Sequence, residues 1–301
     1  VETICRAGIR HIYAVTGDSL NEVNDAVRRA GTVRWVHVRH EESGAFAAAA
    51  ESELNGIACC AGSSGPGHVH LINGLYDAHR SNCPVLAIAS TCPSDQFGTG
   101  YFQETDPIRL FDDCSGYNQM AVTPAQFARM LPAALQHAIH RREVAVVGLP
   151  GDVAASPCAE SPGASGPLPS HGIYRPLDGE LRQLAEMIGS AERITVFCGI
   201  GAREAHDEVV RLAAMLKAPV AYTFKAKMEV QYDNPYEIGM TGLLGLPSAY
   251  GAMHESDLLL LLGTDFPYDC FLPSECRIAQ VDIRPERTGR RARGELGLAG
   301  D

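Results

Sequence analysis

The residues best placed to do chemistry lie in turns that close short apolar runs. Arg39-His40-Glu41-Glu42 follows the run Val33 to Val38 and puts two carboxylates at the start of an amphipathic stretch. Acidic side chains there are favoured by the helix dipole, so local sequence alone reads them as a helix start. Thr16-Gly17-Asp18-Ser19 closes the run His11 to Val15, and Asp18 or Ser19 is expected to cap the next helix. Ser63-Ser64-Gly65-Pro66-Gly67 follows Ile57 to Ala61. Its glycines let backbone approach a flat or charged ligand closely, although a tight turn uses the same residues. Gly98-Thr99-Gly100-Tyr101-Phe102-Gln103-Glu104 is an aromatic-bearing loop of the kind that lines a pocket. Gly199-Ile200-Gly201 also follows an apolar run, but position 204 is Glu. The third glycine of a dinucleotide fingerprint is therefore missing, and a NAD(P) reading is not supported.

These turns need strands before them and helices after them, and the sequence supplies both. His11 to Val15, Val33 to Val38, Ile57 to Ala61, Pro84 to Ala89 and Val144 to Leu149 read as strands, with helices over Ser19 to Arg29 and Glu41 to Leu54. Strands apolar on both faces and separated by helices imply a parallel sheet covered on both sides, with right-handed crossovers. Ligands of such sheets bind at the carboxyl ends of the strands, where the turns above lie. Ser156 to Gly172 holds Pro157, Pro162, Pro167 and Pro169 among Gly, Ser and Ala, a linker composition. Alternation then resumes. A helix starts near Asp178, Ile194 to Cys198 is a strand, and Glu204 to Leu216 is a helix. A strand near Val220, a helix near Ala249 and strands over Leu258 to Leu262 and Ile278 to Asp282 complete the series. The expected fold class is α/β with two parallel-sheet, three-layer domains, over residues 1–155 and 178–301, joined by a linker over 156–177.

Composition narrows the function classes. With 301 residues, 46% hydrophobic and 20% charged, the chain can bury a large core. A formal net charge of -11 disfavours a broad phosphate-backbone interface. The arginines 284, 287, 290, 291 and 293 are a local exception, read as a solvated loop. The ten cysteines form no C-x-x-C pair and sit in apolar company, which reads as reduced core thiols of a cytoplasmic protein. No apolar stretch has membrane-spanning length, and no targeting leader is evident.

Taken in order, "VTGDSLN", "RHEESGAFAA", "GSSGPGH", "HLINGLYDAHR", "PVLAIA", "GYFQETDP" and "LPGDVA" resemble the pyrimidine-binding domain of thiamine-diphosphate-dependent enzymes of the pyruvate oxidase and quinone-dependent pyruvate dehydrogenase group. "YDNPYEIGMTGLLG", "LLLLGTDFPYD" and "QVDIRPERTG" are similar to the FAD-carrying central domain of the same group. The resemblance assigns Glu41 the carboxylate that hydrogen-bonds the cofactor's pyrimidine and favours its imino tautomer, the form that takes the thiazolium proton. It places Gly65, Pro66 and Gly67 against the pyrimidine, and Phe102 and Gln103 in the substrate loop. Position 68 is His where some relatives carry Asn, and His68 and His70 are read as helix-start packing, so no metal ligand is assigned. For FAD it implies Thr241, Gly242, Leu243 and Leu244, then Thr264, Asp265, Phe266, Pro267 and Tyr268, and then Asp282. Asp265 stands where close relatives carry glutamine.

The group holds its cofactor diphosphate through Mg²⁺ on a third domain marked by Gly-Asp-Gly. No Gly-Asp-Gly occurs here, so the Mg²⁺ ligands are expected on a missing domain and the chain is expected to be inactive alone. The resemblance implies oxidative decarboxylation of pyruvate or a similar 2-oxo acid to acetate or acetyl phosphate, with electrons passing through FAD to quinone or oxygen. It also implies a homo-oligomer, dimer or tetramer, with any peripheral membrane contact in the missing part. An acetolactate-synthase-like carboligase is the neighbouring alternative. A truncated, non-catalytic module that holds FAD or dimerises is the alternative from another class.

Overall fold

The computed structural model describes residues 1–158, 166–168 and 172–301. The chain divides into two compact units, Val1–His171 and Gly172–Asp301. The linker expected over 156–177 falls partly on residues 159–165 and 169–171, which lie outside the described residues.

The first unit is built on strands β1 (His11–Ala14), β2 (Arg34–His37), β3 (Ala58–Gly62), β4 (Val85–Thr91), β5 (Tyr117–Met120) and β6 (Val144–Pro150). They form a parallel sheet in the order β2-β1-β3-β4-β6-β5. Along β6 the side chains alternate between two cores. Val144 and Val146 pack with Leu71, Leu75 and Ala78 of the helix Ile72–Ser81 and its approach. Ala145, Val147 and Leu149 pack with Leu131, Ala134 and Leu135 of the helix Pro124–Arg141. Such a strand is buried on both faces, which is why its sequence is an unbroken apolar run. The three layers anticipated from the sequence are present.

One helix matters most for function. Glu41–Asn55 buries Gly44, Ala45, Ala48, Ala49 and Ser52 and ends at Gly56, whose φ of +87° suits glycine. Small residues let it lie close to the sheet: a Cβ on Gly44 would stand 3.2 Å from the Tyr13 carbonyl oxygen of β1. The neighbouring helix approaches it equally closely, since a Cβ on Gly74 would sit 2.5 Å from that of Ala45.

The second unit uses β7 (Ile194–Cys198), β8 (Val220–Tyr222), β9 (Glu237–Met240), β10 (Leu258–Leu262), β11 (Arg277–Asp282) and β12 (Leu296–Ala299). The parallel order is β12-β11-β10-β7-β8-β9. Again the faces alternate, Leu258 and Leu260 packing with Val209 and Ala213, and Leu259 and Leu261 with Ala249 and Met253. The helix expected from Glu204 begins at His206, behind a short 3₁₀ turn. Six of the cysteines are buried, and burial pushes the thiols of Cys60, Cys114 and Cys198 up to about 12, as inert core residues. No helix among the described residues is long and apolar enough to cross a membrane.

Candidate functional site

In the first sheet the chain steps from β1 to β2 and then returns to place β3 on the other side of β1. Strand ends at such a reversal leave a crevice. The turn after β1 meets the turn after β3 there. Ser64 N donates to Ser19 Oγ at 2.9 Å, and the Ser19 and Ser63 hydroxyls lie 3.0 Å apart. This corrects the expectation that Asp18 or Ser19 caps a helix: neither does, and Asp18–Leu20 forms a 3₁₀ turn before the helix Asn21–Ala30. Ser19 is spent on tying two turns together.

Glu41 opens its helix beside this crevice and is buried, with 8% of its surface exposed. His40 is the N-cap, in extended conformation, and its Nδ1 accepts from Glu42 N at 3.3 Å. His70 Nδ1 lies 3.1 Å from Glu41 Oε2. The other oxygen faces the glycine turn: a Cβ on Gly67 would come to 3.5 Å from Oε1. Gly65 adopts φ +64°, and a Cβ there would collide with Gln103 at 2.8 Å. Ser64 Oγ donates to Gln103 Oε1 at 3.2 Å. The structure therefore brings Glu41, Gly65, Gly67 and Gln103 together. Pro66 is exposed as the first residue of the short helix Pro66–Val69, and Phe102 projects from the loop with 77% of its surface exposed. Glu42 is set apart on the helix, its Oε1 accepting from Asn73 Nδ2.

Two further residues hold the loop that carries Gln103: His68, read from the sequence as helix-start packing, and Glu104, read only as part of the loop. His68 is fully buried, its Nδ1 2.8 Å from the Ser90 carbonyl and its Nε2 2.6 Å from Thr105 Oγ1. A carbonyl only accepts, so Nδ1 carries the proton and Nε2 accepts from the threonine hydroxyl. Burial lowers the affinity of this imidazole for a second proton, partly offset by the Ser90 bond. Glu104 accepts from the backbone N–H groups of Gly98, Gly100 and Tyr101 at 2.5, 2.8 and 3.1 Å. Those bonds hold its carboxyl below the usual range.

The second sheet reverses between β7 and β10. Its crevice is tightly closed: Gly199 N donates to the Leu262 carbonyl at 2.8 Å, and a Cβ on Gly199 would lie 2.3 Å from the Gly263 oxygen. The loops singled out in the sequence lie at the carboxyl ends of β9, β10 and β11. Thr241 and Thr264 are buried. Gly242, at φ +116°, meets Phe266, whose ring a Cβ would approach to 3.3 Å, with Tyr268 next to it at 3.9 Å. Leu243 and Leu244 are exposed, 70% and 69%. Asp282, 5% exposed, accepts from Arg284 N through Oδ1 at 2.9 Å, and burial pushes its carboxyl up. Asp265 departs from the expected glutamine in a legible way: it pairs with Arg290 through Oδ2 and with Arg291 Nε through Oδ1 at 3.0 Å. Part of the arginine cluster is thus a loop brace. Pro267, between Phe266 and Tyr268 in the chain, is exposed.

Comparison with known proteins agrees with this layout. Residues 1–110 match the thiamine pyrophosphate enzyme N-terminal TPP binding domain, and residues 181–301 match the thiamine pyrophosphate enzyme central domain. The chain is 50% identical over 302 residues to an uncharacterized 42.6 kDa protein in the isoamylase 3' region of Pseudomonas amyloderamosa, covering 100% of this chain and 76% of that one. It is 36% identical over 296 residues to the putative thiamine pyrophosphate-containing protein YdaP of Bacillus subtilis, covering 98% and 52%. It is 32% identical over 304 residues to the pyruvate oxidase of Lactiplantibacillus plantarum, covering 98% and 50%. The chain thus spans about half the length of the latter two relatives.

Proposed function

Because the chain belongs to the thiamine pyrophosphate enzyme family, we propose that it supplies the pyrimidine-activating and flavin-holding domains of an enzyme that oxidatively decarboxylates pyruvate. The observation that carries this reading is the Glu41 carboxylate, buried, bonded on one oxygen to His70 and left open on the other beside Gly67. The residues present fit the aminopyrimidine of thiamine diphosphate. A ring nitrogen needs an open carboxylate oxygen, and glycine at 67 is what leaves room above it.

Thiamine diphosphate, when bound, supplies the electron sink that lets a 2-oxo acid lose CO₂. This chain's part is to hold and move a proton. Glu41 would share a proton with the pyrimidine ring nitrogen through the oxygen beside Gly67, while His70 orients the other oxygen. The backbone of Gly65, Pro66 and Gly67 would line the ring, and Gln103, bonded to Ser64, would line the substrate side from its braced loop. FAD, when bound, accepts two electrons. The loops at 241–244 and 264–268 would hold it with main-chain N–H groups and the apolar Leu243, Leu244 and Phe266, and Asp282 would accept from adenosine hydroxyls. Mg²⁺ and the cofactor diphosphate are assigned to a further domain of the family type, and the working assembly to a dimer or tetramer in the cytoplasm.

The test is product analysis. In enzyme comprising this chain and a diphosphate-binding domain, with no electron acceptor present, pyruvate and water (or phosphate) should give one CO₂ and one acetate (or acetyl phosphate) for each flavin reduced. Acetolactate as the main product would replace the oxidase reading with carboligation. Bound FAD with no turnover would leave a binding module.

A further inference from the structure

We propose that His40, Glu41 and His70 form a binding site for a divalent transition-metal ion, zinc being the natural class. Each side chain offers one ligand atom, and the three atoms lie within 4.8 Å of one another. Among the described residues no other group of histidine, cysteine, aspartate or glutamate side chains converges in this way. Two imidazoles and one carboxylate are a donor set that suits zinc, cobalt, nickel or copper and does not suit Mg²⁺, which prefers an all-oxygen shell.

The geometry is near what such an ion needs. A tetrahedral ion with bonds of about 2.1 Å sets its ligands roughly 3.4 Å apart. His70 Nδ1 and Glu41 Oε2 already stand at 3.1 Å. The His40 and His70 rings stack at 4.4 Å with 27° between their planes, so one ring must turn before both can point a nitrogen at a single ion. The carboxylate is fixed by burial at 10% side-chain exposure, whereas the His70 and His40 side chains are 43% and 48% exposed and an ion would have to exchange for their present contacts. The surroundings also supply an outer partner. Were the ion held through His40 Nε2, the ring proton would move to Nδ1, which would give up its bond from Glu42 N. The Glu42 carboxylate, with Oε2 3.8 Å from that nitrogen and Oε1 held by Asn73, is placed to receive the new donor. This is the carboxylate–histidine–metal arrangement that orients metal-bound imidazoles.

The site needs only these side chains, so it stands or falls apart from the thiamine reading. Occupied, it would withdraw Glu41 from sharing a proton with anything else.

Cobalt(II) is the probe, since its visible absorption reports ligand type. Titrated into the whole chain, it should bind at one site with imidazole and carboxylate character, without the near-ultraviolet band of thiolate ligation. Zinc should displace it, and excess Mg²⁺ should not. His40→Asn keeps a good helix cap, and His70→Gln keeps a donor for Glu41, so both should fold. Losing a first ligand should cost at least what losing an outer partner does, about tenfold or more in affinity for each variant. A thiolate band would place the ion on cysteines such as the exposed Cys158 or Cys270 and overturn the proposal. Unchanged binding in either variant, or none in the wild-type chain, would do the same.

Discussion

The two sheets reverse direction in the same way but use their carboxyl ends differently. At the first, the reversal between β1 and β3 is knit by Ser19, Ser63 and Ser64, and a buried carboxylate sits beside it with two imidazoles at hand. At the second, the reversal between β7 and β10 is filled by Gly199 and Gly263, and the candidate loops carry aromatic rings, leucines and one buried aspartate. Under the proposed function the first end would move protons and the second would hold a flavin. The same topology thus fixes where ligands can lie but leaves chemistry to the side chains that each turn presents.

The sharpest way to break this contrast is to remove the proton carrier. Glu41→Gln in a complete enzyme should lower CO₂ release from pyruvate by about 10²–10⁴-fold, the usual scale of general acid–base catalysis. Glu42→Gln, on the neighbouring residue held by Asn73, should do far less. Equal losses in the two variants would mean that the helix start, not the proton, is what matters.

The second sheet has its own carboxylate, and the expected effect is smaller and split in sign. Asp282 has a raised folded-state pKa because burial penalises its charge. Its contribution is therefore most favourable at low pH and is lost as pH rises through the raised value. Asp282→Asn should raise the apo unfolding midpoint at neutral pH by about 2–4 °C while weakening FAD binding by roughly tenfold, the worth of a hydrogen bond or two. Thermal scans and flavin fluorescence check the two halves. A variant both less stable and unchanged in FAD affinity would remove Asp282 from the site.

His68 sharpens the first end further. Its folded-state pKa is lowered by burial, so the unfolded chain binds the proton more readily. Stability should be complete above the ordinary histidine value of about 6.5 and fall as pH drops below it. His68→Asn should flatten that slope in pH-dependent melting. An unchanged slope would show that the imidazole is not what titrates. The smallest effect belongs to Glu104, whose lowered pKa comes from backbone bonds. Its clamp is present at neutral pH and loosens as pH falls through the lowered value. Glu104→Gln should speed hydrogen exchange at Gly98, Gly100 and Tyr101 and leave the unfolding midpoint in place.

The central strands were legible because burial on both faces demands unbroken apolar runs, as in β3, β4, β6 and β10. Of the edge strands only β2 was legible, from Val33 to Val38; Tyr117–Met120 is polar, Glu237–Met240 contains Gly239 at φ +99°, and Leu296–Ala299 is broken by Gly297. At the site, the carboxylate and the glycine turn could be picked out because resemblance pointed to them. Their supports could not. His70 meets Glu41 across 29 residues, and Thr105 meets His68 across 37. No local pattern encodes contacts that only the packing of turns brings about.

By the proposed division of labour, the second unit holds FAD within this chain, while the first needs a diphosphate anchor from elsewhere to hold thiamine diphosphate. Calorimetric titration of the folded 301-residue chain with FAD, and in the same buffer with thiamine diphosphate and Mg²⁺, tests it most directly. Saturable FAD heat and no measurable thiamine diphosphate binding are expected, because charge-assisted bonds to the diphosphate are the strong ones and would be missing. Tight thiamine diphosphate binding by this chain alone, or no saturable response at high micromolar FAD, would contradict it.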